Sequence, residues 1–157
     1  IKFPNHSREG IKQVLLAENS IKEKVKPHVS SGAESSLQSS GAVAEFLSDF
    51  VNGRLGLALQ IAREDQYTRV KDYISEFVTI KKSSLVERLK IAQKLNDKDD
   101  NSQIKEKLLY WMLYLRMNLV KSKEGAHTLK NLIELNYLIG QPQFNRRLML
   151  ENFTVRL

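Results

Sequence analysis

The side chains of this sequence that could do chemistry are few, and their spacing speaks against catalysis. Its three histidines, His6, His28 and His127, stand far apart. None has a paired carboxylate in a helical ligand pattern such as H-E-x-x-H, so we read them as solvated or packing residues. Cysteine is absent, which removes disulfides, thiolate metal sites and a thiol nucleophile at once. No G-x-x-x-x-G-K-[ST] loop is present to cradle a nucleotide phosphate, and no G-x-S-x-G elbow to expose a serine nucleophile. The serines between residues 26 and 41 have no base near them in sequence to activate them. The residues therefore predict no catalytic group, no cofactor and no metal.

One short motif calls for a physical test. Gly53-Arg54-Leu55-Gly56, within "VNGRLGLALQIA", has the G-x-x-G spacing with which KH modules clamp a nucleic-acid backbone. Such a module also needs a sheet, and the chain offers only the strand-like "IKF" at its start. The favoured reading is a tight junction between two helices. Asn52 and Gly53 tolerate the left-handed conformation a helix end requires, and Gly56 and Ala58 are small enough for another backbone to come close.

The elements that must position these residues follow from composition and period. A chain of 157 residues, 41% of them hydrophobic, is one domain or two small ones and can bury about 70% of its unfolded surface. Its net charge of +7, with Lys and Arg along the whole length, attracts nucleic acid or an acidic protein surface. Arg54, Lys81, Lys82, Arg146 and Arg147 are the candidates if it is a basic helical nucleic-acid-binding module. The longest uncharged apolar run, "LLYWMLYL" from Leu108 to Leu115, falls well short of the ~20 residues of a membrane span. The first residue is Ile1, and "IKFPNHS" has neither the basic nor the apolar region of a signal peptide, so a fragment of a longer chain is expected.

"IKF" reads as the end of a strand stopped by Pro4. Ser7 then caps a helix carrying Ile11, Val14, Leu15 and Ile21 at helical spacing. "KPHVSSGAESSLQSSG", from Lys26 to Gly41, shows no period and predicts a surface loop. From Ala42 onward the pattern is helical. One helix stops at Asn52-Gly53, and a short one carries Leu55, Leu59 and Ala62. The next has a stripe of Tyr67, Val70, Tyr73, Ile74 and Phe77, and is followed by one capped by Ser83 or Ser84 and ending at Asn96. The helix from Ser102 to Lys121 is apolar on more than one face and reads as the centre of a bundle, with Trp111 as core. Leu129, Leu132, Ile133, Asn136 and Tyr137 form the stripe of the penultimate helix, and a terminal helix closes the chain. The expected fold is all-α, in two neighbouring units, 1–62 and 63–157.

Three stretches together resemble a known family. "IKFPNHSREGIKQVL" leads out of a strand, "NGRLGLALQIA" follows a helix, and "NRRLMLENFTVRL" ends the chain. Their order and spacing resemble the second and third domains of the bacterial DNA polymerase III clamp-loader subunits. In that family a strand exits into the small helical lid of an AAA+ module. The lid closes on a G-x-x-G-x-A-L signature, matched here by Gly53, Gly56, Ala58 and Leu59. A helical collar follows and finishes on N-x-x-L-x-L-E-x-x-x-x-x-L, matched by Asn145, Leu148, Leu150, Glu151 and Leu157. The gamma and tau subunits carry a nucleotide-sensing arginine where this chain has Gly56, so the resemblance is nearer to the delta-prime branch, which does not hydrolyse ATP, with a fragment of a gamma or tau subunit as the alternative.

The resemblance implies a helical-bundle collar behind a lid remnant, with no cofactor. Its partners would be the homologous gamma or tau and delta subunits, with the sliding clamp and DNA reached only through the full cytoplasmic assembly. Leu148, Leu150, Phe153 and Val155 are then expected to supply the packing of the terminal helix. Phe144, Asn145, Arg146, Arg147 and Glu151 are expected to make its polar and rim contacts with a neighbour.

Overall fold

The structure, a computed structural model, describes residues 6–25, 33–63, 66–119 and 125–157. The expected strand end at Ile1–Phe3 with Pro4, His28, and the first part of the serine-rich stretch lie outside them. The described residues form eight α-helices and no strand: α1 (Arg8–Val25), α2 (Ala33–Phe50), α3 (Leu55–Arg63), α4 (Tyr67–Lys82), α5 (Leu85–Lys98), α6 (Asn101–Leu119), α7 (Ala126–Leu138) and α8 (Arg146–Val155). The fold is all-α, and none of these helices is long and apolar enough to cross a membrane. One expectation is corrected: the loop predicted to run to Gly41 gives way to helix at Ala33. A helix needs no apolar period of its own when small residues such as Ala and Ser fill its turns, so the missing stripe misled.

The chain divides into two compact units, Ile1–Thr68 and Arg69–Leu157, a few residues beyond the division expected at 62. In the first, the Gly10 N–H donates to Ser7 Oγ at 3.1 Å, fixing the start of α1. Ile11 and Leu15, one turn apart, are buried with Ala44, Leu47, Phe50, Val51, Ala58 and Ile61, so α1 packs on α2 and α3. Arg8 forms ion pairs with Asp49 and, at 3.6 Å, with Glu45 across the α1–α2 contact. Buried Ser48 is satisfied locally, donating to the Glu45 carbonyl at 2.8 Å.

The second unit is a helical bundle around Trp111. Phe77 of α4 lies 5.2 Å from the indole and Phe153 of α8 lies 6.4 Å from it, centroid to centroid. The indole Nε1–H donates to the Tyr73 carbonyl at 2.7 Å, which satisfies the one polar atom of an otherwise apolar anchor. On α6, Ile104, Leu108, Tyr110, Trp111, Leu113 and Leu115 are all buried. No single stripe contains them, as expected of a central helix enclosed on several sides.

The turns are set by side chains. Glu87 closes a box at the start of α5, accepting from the Ser84 N–H at 2.9 Å and from its hydroxyl at 3.0 Å. Arg88 reaches back to the end of α4 and donates to the carbonyls of Ile80, Lys81 and Ser83. α5 runs on to Lys98, past the stop expected at Asn96. Lys107, with a side chain only 11% exposed, sits between Asp99 at 2.8 Å and Glu76 at 3.0 Å. It lies 5.3 Å from the Tyr73 ring centroid, and Arg69 lies 5.4 Å from the same centroid.

Candidate functional site

Two places in the chain carry the residues singled out by sequence. The first is the turn between α2 and α3. Asn52 and Gly53 both have positive φ, 48° and 84°, and together they reverse the chain at the end of α2. Ala58 is fully buried, and Leu59 is half-buried. Gly56 departs from expectation. It is exposed, and a Cβ placed on it would meet nothing within 4 Å, so it does not serve a close helix approach. The G-x-x-G spacing thus combines one conformational glycine with one that space does not require.

The second place is the α7–α8 hairpin and its seat on α5. Asn145 is the N-cap of α8, its side-chain oxygen accepting from the Leu148 N–H at 3.3 Å. Arg146 lies across the ends of α5 and α6. It donates to Asn96 Oδ1 and to Asn101 Oδ1, both at 3.0 Å, and to the Asn96 carbonyl. These contacts place the start of α8 at the end of α5, so the two helices run antiparallel. Leu150, Phe153 and Thr154 are buried below, and Leu157 packs at the edge of the core.

Within their own unit the residues of α8 divide. Leu150 and Phe153 supply packing, but Leu148 is 61% and Val155 50% exposed. Leu148 and Leu150 are two positions apart, which on a helix puts them about 200° apart, so both cannot face one core. Arg146 and Asn145 make their hydrogen bonds within the helix's own unit. Arg147 donates to Glu151 at 2.8 Å along the helix surface, and that bond raises its pKa. Phe144 is exposed in the preceding loop. The stripe expected on α7 is also rotated: Thr128, Leu132 and Leu135 are buried, while Ile133 and Tyr137 face outward.

Between α7 and α8 lies an open groove that sequence reasoning did not find. Asn131, Glu134, Leu135 and Leu138 line it from α7, and Met149, Asn152, Phe153 and Arg156 from α8. Elsewhere on α7, Ile133 and Tyr137, one turn apart, are exposed. On α8, Leu148 and Val155 stand at helical spacing on either side of Asn152 and are exposed. The signal was present as apolar residues at positions a single buried stripe could not accommodate.

Charge is divided unevenly. Arg69–Leu157 holds 17 Lys and Arg against 10 Asp and Glu, and residues 1–68 hold eight of each. The whole +7 therefore belongs to the second unit. Of the basic candidates, Arg54 lies in the first unit, and Lys81 and Lys82 end α4, where they offset the negative pole of the helix. Arg146 and Arg147 have partners within the unit. His6 and His127 are exposed, and no cluster of His, Asp or Glu able to hold a metal occurs among the described residues. Comparison with protein-family models, with curated proteins and with solved structures finds no match.

Proposed function

We propose that the chain is the lid remnant and collar of a delta-prime-like clamp-loader subunit, a cytoplasmic assembly part of the bacterial DNA polymerase III holoenzyme that acts during DNA replication. Its work is structural. The collar packs beside those of homologous gamma or tau and delta subunits and holds a ring together while a sliding clamp is opened and placed on DNA. The part present here catalyses nothing, and its parent does not hydrolyse ATP.

The observation that carries this reading is the two-faced terminal helix. One face of α8 is fixed to its own unit through Asn145, Arg146, Leu150 and Phe153, while Leu148 and Val155 are left outside. Apolar groups presented outward on a well-anchored helix suit adhesion, at about 25 cal/mol per Å² of apolar surface covered. The order of the three matching stretches supports the family assignment, and Gly56 in place of an arginine supports the delta-prime branch, since glycine offers no phosphate clamp. The test is co-purification. The parent should elute with gamma or tau and delta subunits on size exclusion, and a parent that stays monomeric with all of them present removes the reading.

A second reading, a basic helical nucleic-acid-binding module, is favoured by one observation, the confinement of the +7 to Arg69–Leu157. It requires an affinity that falls steeply with salt as counterions are released. A flat salt dependence removes it.

A further inference from the structure

The groove between α7 and α8 carries a charge pattern that its apolar content does not require. Glu134 stands on the α7 wall and Arg156 on the α8 wall. Neither side chain has a hydrogen-bond or ion-pair partner among the described residues, whereas Arg147 and Glu151 on the same hairpin satisfy each other. Exposed apolar side chains also occur on both helices: Tyr137 of α7 is 72% exposed and Leu148 of α8 61%. The site is thus a groove lined by Leu135, Leu138, Met149 and Phe153 together with Asn131 and Asn152, with one unpaired anion on the α7 side and one unpaired cation on the α8 side.

We infer that this groove receives one amphipathic helix of a neighbouring subunit, whose apolar stripe is bordered by basic side chains along one edge and acidic side chains along the other. The inference rests on the collar reading and specifies the chemistry of its partner. α8 is about 15 Å long, three turns of a helix, so the groove accepts apolar anchors at i, i+3 or i+4, and i+7. As such a helix seats, Glu134 and Arg156 lose water, and an edge of like charge against either wall is penalised. A uniformly acidic helix or a nucleic-acid backbone meets Glu134, and a uniformly basic helix meets Arg156. Only a mixed border satisfies both walls. Because a helix can enter in either direction, it matters only that the two edges differ in sign.

The test uses three synthetic helical peptides with one common apolar stripe, bordered by Lys and Glu, by Glu and Glu, or by Lys and Lys. Each is titrated by fluorescence anisotropy against the full 157-residue chain. The mixed peptide should bind about three- to fivefold tighter than either uniform one, the range of an exposed ion pair. Glu134→Lys should transfer the preference to the Glu-bordered peptide, and Arg156→Glu to the Lys-bordered one. Circular dichroism should show both variants as folded as the wild type, since the two side chains are exposed. Equal affinity for all three peptides, no binding, or preferences unmoved by the substitutions would overturn the inference. So would a chain that dimerises and is returned to monomer by Tyr137→Asp, because a second copy then fills the groove. Charge-dependent peptide binding without co-purification of clamp-loader subunits would uphold the groove's specificity and remove the collar reading alone.

Discussion

Replacing Arg146 tests whether the start of α8 is held by its own unit or awaits a neighbour. The guanidinium makes three hydrogen bonds, two to Asn96 and one to Asn101, and so ties α8 to the end of α5 and the start of α6. A hydrogen bond with a charged donor contributes about 1.5–3 kcal/mol. Three on one side chain are not additive, and the asparagines regain water when it leaves, since Asn101 is exposed and Asn96 half-buried. Arg146→Ala should therefore cost roughly 2–3 kcal/mol in total, or on the order of 10 °C in Tm for a unit of this size. Arg146→Lys should recover less than half, because an ammonium cannot span three acceptors in a fixed fork.

The assay is urea unfolding followed by the fluorescence of Trp111, the single tryptophan of the chain. Its contact with Phe153 of α8 makes it a reporter on the docking of that helix. A double-mutant cycle with Asn96→Ala should return a coupling of about 1 kcal/mol or more. A change below about 0.5 kcal/mol for Arg146→Ala, the scale of an ordinary surface substitution, would refute the reasoning, as would a lysine variant equal to the wild type.

Further outcomes follow from other contacts. Burial works against the charge of Lys107, but hydrogen bonds to Asp99 and Glu76 outweigh it and raise its pKa above 10.5. The stability this pair of bonds supplies is complete below that value and is lost as pH rises through the raised one. Lys107→Met should therefore lower the urea midpoint at neutral pH, by about 1–3 kcal/mol in stability, and flatten the decline above pH 10.5. Glu87 behaves with the opposite sign. The Ser84 N–H and then its hydroxyl lower its pKa below 4.5, so its contribution is present above that value and lost as pH falls through the lowered one. Glu87→Gln should shrink the acid-side fall in Tm. The two glycines of the α2–α3 turn should respond in opposite directions to alanine. Gly53→Ala should destabilise by about 1 kcal/mol or more, because its φ of 84° disfavours a Cβ. Gly56→Ala, in open space within α3, should stabilise by about 0.5–1 kcal/mol. Thermal melts of both variants check the pair.

Much of the fold was legible because long helices with strong patterns dominate it. α6 announced itself by apolar residues on several faces, and the turn at Asn52-Gly53 by two residues that accept positive φ. What could not be read were azimuths. Ile133 and Tyr137 on α7 keep helical spacing as well as Leu132 and Leu135 do, and only the positions of α6 and α8 decide which pair is inside. On α8 the same ambiguity hid Leu148 and Val155 among packing residues. Arg146 was hidden for a different reason: its partners, Asn96 and Asn101, lie some 45 to 50 residues away, and no local pattern links an arginine to remote asparagines. The helix from Ala33 to Gly41 was missed because its Ala, Ser and Gly residues have too little apolar contrast to show a period.

The separation of roles along α8 bears on how the protein can change. Asn145, Arg146, Leu150, Phe153 and Thr154 secure the helix, while Leu148, Asn152, Val155 and Arg156 do not share those contacts. Stability and outward character are therefore written in different letters of one ten-residue helix and its two caps. Substitutions in the second group can alter what the surface prefers without endangering the first, so new specificities lie within single steps that leave the folded state intact.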